Sequence, residues 1–593
     1  MKITPDPLSP PDAQMSHSAL FEKVFALVAN IYPDHDTKAL ATDFIDAFFS
    51  HGASPRKRGR IPGNSLWSEK DALVITYGNS IIDGVHKPLD LLRDFLVRHL
   101  EGVLTGVHIL PFFPYTSDDG FAVTDYTVVD SQLGSWEDIQ RIAADFKVMS
   151  DLVLNHVSSQ GAWFTAYRQG QPPYDKYFFE ASPEDDLSAV VRPRAHPLLR
   201  EVETANGTKY VWCTFSHDQV DLDFSNPEVL AEFLRIMRLH IANGIRIVRL
   251  DAVAFIWKEI GTSCIHLPNT HRIIQLIRIL CDFAEERVVL LTETNVPKRE
   301  NLSYFGNRNE AHAIYNFSLP PLMLHALLTG SARHLRTWLM SMPPAQLGCA
   351  YLNFIASHDG IGLRPVEGIL TDDELEELLA TVRRFGGLVS MRATPDGKGR
   401  PYELNVSLFD ALTGTVEGED AFHIERFLAS QTAMMALEGI PAFYIHSLLA
   451  TPNDTEGVAK SHHNRAINRH RWDYGTLRAR LADPETPQAR VMREMKRRIR
   501  IRTAEPAFHP NATQFTLQLD DALFGVWRQS LDRSQSIFAI TNVSNKPVNL
   551  PAFHLNLIDG DFWRDLLDET VFDDPNGTVT FAPYQSRWIS NRV

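Results

Sequence analysis

Eight short apolar runs, each near strand length, punctuate the chain between residues 70 and 450. They are ALVITYG (72–78), GVHILPFF (106–113), VMSDLVLNH (148–156), IRIVRLDAV (245–253), VVLLTET (288–294), AIYNFSL (313–319), AYLNFIASHD (350–359) and AFYIHSLL (442–449). Near-continuous apolar character, without strict alternation, marks strands buried on both faces of a parallel sheet. Stretches with apolar residues at helical spacing, such as EVLAEFLRIMRLHIA and THRIIQLIRILCDFAEE, lie between some of them. Strand–helix alternation repeated eight times predicts an α/β fold, the (β/α)8 TIM barrel, over residues 71–156 and 236–510.

The remaining segments read differently. In residues 1–70, FEKVFALVANIY and TDFIDAFFS show helical spacing, which predicts a helical extension that caps the barrel bottom or makes a subunit contact. Residues 157–235 and 360–430 are too long for plain crossovers after the third and seventh strands. Insertions there fall on the catalytic face of a barrel, so both are expected to supply substrate loops. Residues 511–593 turn to short alternating strands (TQFTLQL, LFGVWRQS, SIFAITNV), which predicts a small all-β domain.

Composition narrows the function class. A net charge of −15 argues against a general nucleic-acid or membrane-surface binder. The one basic cluster, RKRGR at 56–60, is flanked by Gly, Ser and Pro and reads as a solvated linker. No apolar run approaches the roughly 20 residues of a membrane helix, and MKITPDPLSPPDAQ has no signal-peptide core. Cys213, Cys264, Cys281 and Cys349 lack metal-ligand spacing and are expected to be reduced thiols in a cytoplasmic protein.

The chemistry sits where the apolar runs end. Residues two apart share a side of a strand, so Arg249 and Asp251 face together at the C-terminal end of the fourth run, where barrel active sites lie. The guanidinium is expected to keep Asp251 ionised, fit to act as a nucleophile. A structural ion pair would look the same in isolation. The fifth run, however, ends at Glu293 and the seventh at His358 and Asp359, which puts three carboxylates at one end of one barrel. Asn155 and His156 end the third run, and the second leads into SDDGF with Asp118 and Phe121. Carboxylates facing each other across a sugar ring are the core of retaining glycoside chemistry.

FAVTDY, DLVLNH, VRLDAV, TETN and ASHDG resemble, in order and position, the conserved regions of the alpha-amylase superfamily. GVHILPFFP, VRPRAHP, VWCTFSHDQVDLDF, KEIGTSCIHL and NRAINRHRW are similar to its sucrose-phosphorylase branch, and WKEIGTSCIHL, TETNVP and SHDGIGL before a Pro to the glucosylglycerate phosphorylases within it. The resemblance implies a retaining phosphorylase that moves glucose from an α-glucoside to inorganic phosphate. It implies no cofactor and no metal, and a monomer or homodimer. Asp251 would be nucleophile, Glu293 general acid/base and Asp359 transition-state stabiliser. Arg249, His156 and His358 would hold the ring, Asp118 its far hydroxyls, and Phe121 and Phe215 an apolar wall. Arg465 would hold Asp118 and the sugar. Arg194 would meet phosphate, with Tyr402 and Glu403 on a loop made mobile by Gly397 and Gly399 and facing the acceptor. An acidic acceptor such as glycerate then needs a cation from among Arg364, Arg400, His217 and His266 to offset Glu403. Glucosylglycerate is the favoured donor; sucrose, glucosylglycerol or simple hydrolysis of an α-glucoside are the alternatives.

Overall fold

The computed structural model describes residues 17–50, 66–194, 196–392, 399–555, 563–572, 574 and 577–592. Eight parallel strands close into a barrel in sequence order: β1 (Leu73–Thr76), β2 (Gly106–Ile109), β3 (Lys147–Val153), β4 (Ile245–Asp251), β5 (Val289–Thr292), β6 (Ala313–Tyr315), β7 (Ala350–Asn353) and β8 (Ile440–Tyr444). All eight expected strands are present, yet most stop several residues before their apolar runs do. The run past β8 turns into the helix Ile445–Leu448, and the run past β7 into a loop. Those overhangs build the rim above the sheet, buried without pairing in the ladder.

The crossover helices show why the chain alternates. Pro88–Leu100, Pro227–Ala242, Pro268–Phe283 and Pro487–Ala504 each begin on a proline, whose missing N–H and fixed φ suit a first helical turn. Trp136–Asp145 begins with a capping box, in which Asp138 accepts from the Ser135 backbone. Each helix turns an apolar face inward; Val229, Leu230, Phe233, Leu234, Met237 and Ile241 of Pro227–Ala242 are all buried. Pro227–Ala242 and His423–Met435 both straddle an expected border, at 235 and 430, because each is the crossover into the next barrel strand.

The first insertion carries the antiparallel pair Leu199–Thr204 and Gly207–Trp212, and a second pair that joins His156–Ser158 to Gln219–Asp221. The second insertion carries Leu388–Arg392 and Arg400–Asn405, with Ile361–Gly362 on the outer edge. A six-stranded antiparallel sheet starting at Thr513 ends the chain. Its buried residues Val526, Ile537 and Trp588 belong to the same core as the barrel.

The N-terminal helices α1 (His17–Ile31) and α2 (Thr37–Phe48) lie on the barrel's flank and not beneath it. They pack on Pro268–Phe283 and Pro227–Ala242, the two helices beside β4. Tyr32 joins them to the rim: its hydroxyl donates to the Phe224 carbonyl at 2.9 Å, and its ring meets Trp257 beyond β4 at 6.3 Å. The basic cluster at 56–60 and Gly397 fall outside the described residues. Among the described residues no helix is long and apolar enough to cross a membrane.

Candidate active site

A cleft opens at the C-terminal rim. It is lined by Asp118, Phe121, His156, Phe215, Arg249, Asp251, Glu293, His358 and Asp359, and by Arg194, Tyr402 and Arg465. Glu403, expected to face the acceptor, does not line it.

The barrel's register sets the centre. Leu250 on β4 stands beside Thr292 on β5, so Asp251 and Glu293 are neighbours one residue higher. Directly after Asp251 the chain turns sharply: Ala252 has φ 51°, and its N–H points to Glu293 Oε2 at 3.4 Å. One nitrogen of Arg249, Nη1, donates to Asp251 Oδ1 at 2.6 Å and also to Asp151 on β3. The guanidinium lies between the rings of Phe121 and Tyr315, 5.7 Å from each. This packing fixes its plane.

That nitrogen is shared between two carboxylates. Burial works to raise the Asp151 carboxyl, but Arg249 and His108 outweigh it and hold it at about 2. Arg249 thus answers Asp151 as well as Asp251. Burial pushes the Asp251 carboxyl well above the ordinary carboxylate range, Arg249 only partly opposes this, and the Glu293 charge adds to it. Burial likewise raises Glu293, against Arg249 and with Asp359. The two acids thus behave as a pair that retains a proton readily. The proton belongs on Glu293, since Asp251 accepts from a guanidinium at 2.6 Å and Glu293 only from a backbone N–H at 3.4 Å.

Asp359 is set apart. Burial would raise it, but the Arg465 and Arg469 guanidiniums hold it far below the usual range. It keeps 30% of its side-chain surface open to the cleft. His358 stacks on Phe121 with ring centres 5.2 Å apart, and burial lowers its imidazole to about 3, so it is neutral. Burial lowers His156 too; its ring Nε2 donates to the Phe121 carbonyl at 3.2 Å. Phe215 packs against His156 at 5.1 Å.

Arg465 does not make the expected bond to Asp118. Its Nη2 and Nε donate to Glu403 at 3.0 and 3.2 Å, and its Nη1 forms an ion pair with Asp359. Asp118 accepts instead from Gln219 Nε2 at 3.2 Å. Glu403 in turn is buried behind its strand, and Arg465, not a cation of the acceptor side, neutralises it. Of the four cations expected to offset it, only Arg364 lines the cleft. His217 donates to the Pro197 carbonyl, His266 pairs with Glu300, and Arg400 is exposed. Arg194 lies across the face of Tyr402 at 5.6 Å and near Phe215 at 6.0 Å. Among the described residues neither Arg194 nor Arg364 has an ion-pair partner, although both line the cleft.

Sequence reading missed three supports. Lys258 is buried, donates to Asn155 at 3.0 Å and pairs with Asp221 at 3.1 Å beneath His156. Arg469 donates to the His358 carbonyl at 2.8 Å and pairs with Asp119. Gln219 anchors Asp118. The signal available was a lysine in an otherwise apolar stretch, AVAFIWK, where an unpaired charge would be costly.

Fold and rim together define an alpha-amylase-type barrel. The alpha-amylase catalytic-domain family matches residues 81–359. A glucosylglycerate phosphorylase from Allomeiothermus silvanus is 44% identical over 88% of this chain and 91% of its own. One from Escherichia coli is 39% identical over 88% of this chain and 92% of its own. The crystal structure of a sucrose 6F-phosphate phosphorylase from Thermoanaerobacter thermosaccharolyticum superposes with a TM-score of 0.71 at 23% identity, covering 88% of this chain and 100% of that one. The chain belongs to the alpha-amylase superfamily and, within it, to the sucrose-phosphorylase branch.

Proposed function

We propose that the protein is a retaining α-glucoside phosphorylase whose preferred donor is 2-O-α-glucosylglycerate. An Asp251 oxygen attacks the anomeric carbon as the glycosidic C–O bond breaks, and Glu293 gives its proton to the departing glycerate oxygen. The product of this half-reaction is a glucosyl ester of Asp251. Phosphate then attacks the anomeric carbon from the vacated side as the bond to Asp251 breaks and frees its carboxylate, a phosphate proton passes to Glu293, and α-glucose 1-phosphate leaves. Asp359, held ionised, stabilises the cation-like transition state between Phe121 and Phe215.

The observation that carries this reading is a pair of arginines lining the cleft, Arg194 and Arg364, that have no carboxylate partner among the described residues and stand beside the three acids. A glucosyl donor is neutral, so two free guanidiniums suit anions on the acceptor side: phosphate, and the carboxylate of glycerate. Sucrose and glucosylglycerol offer no such anion, and a hydrolase needs none. The identity with glucosylglycerate phosphorylases supports the same donor. Four buried, unbridged cysteines support a reducing, cytoplasmic setting.

The test is the reverse reaction. α-Glucose 1-phosphate is supplied with glycerate, glycerol, fructose or fructose 6-phosphate, and phosphate release is measured. Glycerate is expected to be the best acceptor. Equal rates with all four would reject the donor, and glucose release that ignores phosphate would reject the phosphorylase.

A further inference from the structure

We infer that Glu403 is a positioning residue: from behind the strand that carries Tyr402, it clamps Arg465 and the Gly360 turn, and through them fixes Asp359. This rests on the role proposed above for Asp359.

An irregularity in the strand makes the arrangement possible. Along Arg400–Asn405 the pairing passes from Glu403 opposite Ser390 to Pro401 opposite Met391, which leaves Tyr402 as an extra residue between them. Tyr402 turns to the cleft and meets Arg194, whereas Glu403 turns inward and is only 5% exposed. Both Glu403 oxygens are taken. Oε1 accepts from the Gly360 N–H at 2.9 Å and from Arg465 Nη2 at 3.0 Å. Oε2 accepts from Arg465 Nε and Asn405 Nδ2, both at 3.2 Å. Two parallel bonds to one carboxylate fix the guanidinium's plane, and the third nitrogen, Nη1, then points at Asp359. Gly360 immediately follows Asp359. A Cβ there would stand 2.5 Å from Glu403 Cγ and 2.4 Å from the Leu404 carbonyl, so only glycine permits the approach. Asp359 is thereby held twice by one side chain, through its own backbone and through its counter-ion.

Glu403 touches neither the cleft nor a reacting atom, so it acts only through these neighbours. It also supplies the second negative charge on Arg465. Without it, Arg465 would answer Asp359 alone, and the field over the carboxylate pair would become more positive. Glu293 faces Arg249 and Asp251 on β4, Asp151 on β3 and Asp359 beyond β7, and it would ionise more easily in that field.

The experiment uses the full chain, Glu403→Gln and α-glucosyl fluoride, whose leaving group needs little help from an acid and carries no acceptor. Because a displacement of ~1 Å in a reacting group costs ~100-fold, a drop of about 30-fold in kcat is expected, with KM within about threefold of wild type. The alkaline limb of kcat/KM on the natural donor should move to lower pH. Fluoride turnover within about twofold of wild type, with losses confined to acceptor or phosphate, would overturn the inference and return Glu403 to the acceptor side. So would an unmoved limb. Should Glu403→Gln not fold, Glu403→Asp keeps the charge and withdraws it by one carbon. It should lose kcat on the fluoride without moving the limb, and a kcat equal to wild type again overturns the inference. Wild-type protein inert toward the fluoride would instead count against the proposed function itself.

Discussion

Arg249 serves two acids with a single nitrogen, and with its charge so shared Asp251 and Glu293 titrate as a pair. The active form is the pair with one proton, on Glu293. Rate rises with pH as the doubly protonated pair loses its first proton and falls as Glu293 ionises. Burial raises both groups, so both limbs of the kcat/KM bell should lie above the ordinary carboxylate value of about 4. A pH–rate profile with its acid limb at or below that value would contradict the pairing. Asp359, held low by Arg465, stays ionised throughout and contributes no limb. Asp251→Asn keeps the bond to Arg249 as an acceptor but has no attacking oxyanion. Turnover should fall by about 10⁴-fold or more with the melting curve little changed. Arg194→Ala should raise the KM for phosphate about tenfold, the loss of one charge-assisted bond worth ~1.5 kcal/mol, while fluoride cleavage without phosphate holds.

At the scale of elements, α1 and α2 are part of the catalytic unit's flank. Tyr32→Phe removes the bond to the Phe224 carbonyl and leaves a buried acceptor unpaired. A stability loss of about 1 kcal/mol is expected, read as a lower denaturant midpoint at unchanged slope. The eight strands were legible because doubly buried strands must be apolar along their length, and the chemistry was legible because charges at the ends of such runs stand out. What was not legible came from loops. Glu403 and Arg465 are 62 residues apart, and no periodicity announces that they will meet. YELN does not announce the irregular pairing at Tyr402, nor that Tyr402 faces the cleft while Glu403 is buried. The flank position of α1 and α2 was hidden for a related reason: an amphipathic helix declares that it has a partner, not which one. The strand ends were overread because rim loops that line a closed pocket are as apolar as the sheet below.

Across the whole molecule, barrel and C-terminal sheet share one core; buried Arg528 of the sheet reaches the Ala436 carbonyl across the junction, while Arg502 ties the last barrel helix to the segment leading into the sheet. Arg528 donates to Ala436 and His509 at 2.9 and 2.8 Å, and Arg502 to Gly439 and Phe508 at 3.2 and 2.9 Å. Burial lowers them to about 10 and about 9, which marks how far they are removed from water. The two layers should therefore melt as one cooperative unit. Arg528→Met, which strips the Ala436 carbonyl of its donor and leaves the His509 carbonyl only the Ala512 N–H, should cost about 2 kcal/mol and split calorimetric unfolding into two transitions.

The flank docking of α1 and α2 also bears on how the chain is made. Both helices leave the ribosome before the barrel does, yet the helix on which α1 rests ends at Phe283. At roughly 5–20 residues per second, about 12–50 s pass before that partner emerges. Through that interval the apolar stripe of α1, with Leu20, Val24 and Val28 fully buried in the finished protein, has nowhere native to go. Nascent chains stalled near residue 200 should therefore recruit holding chaperones to their first 50 residues, and chains stalled well past 300 should release them.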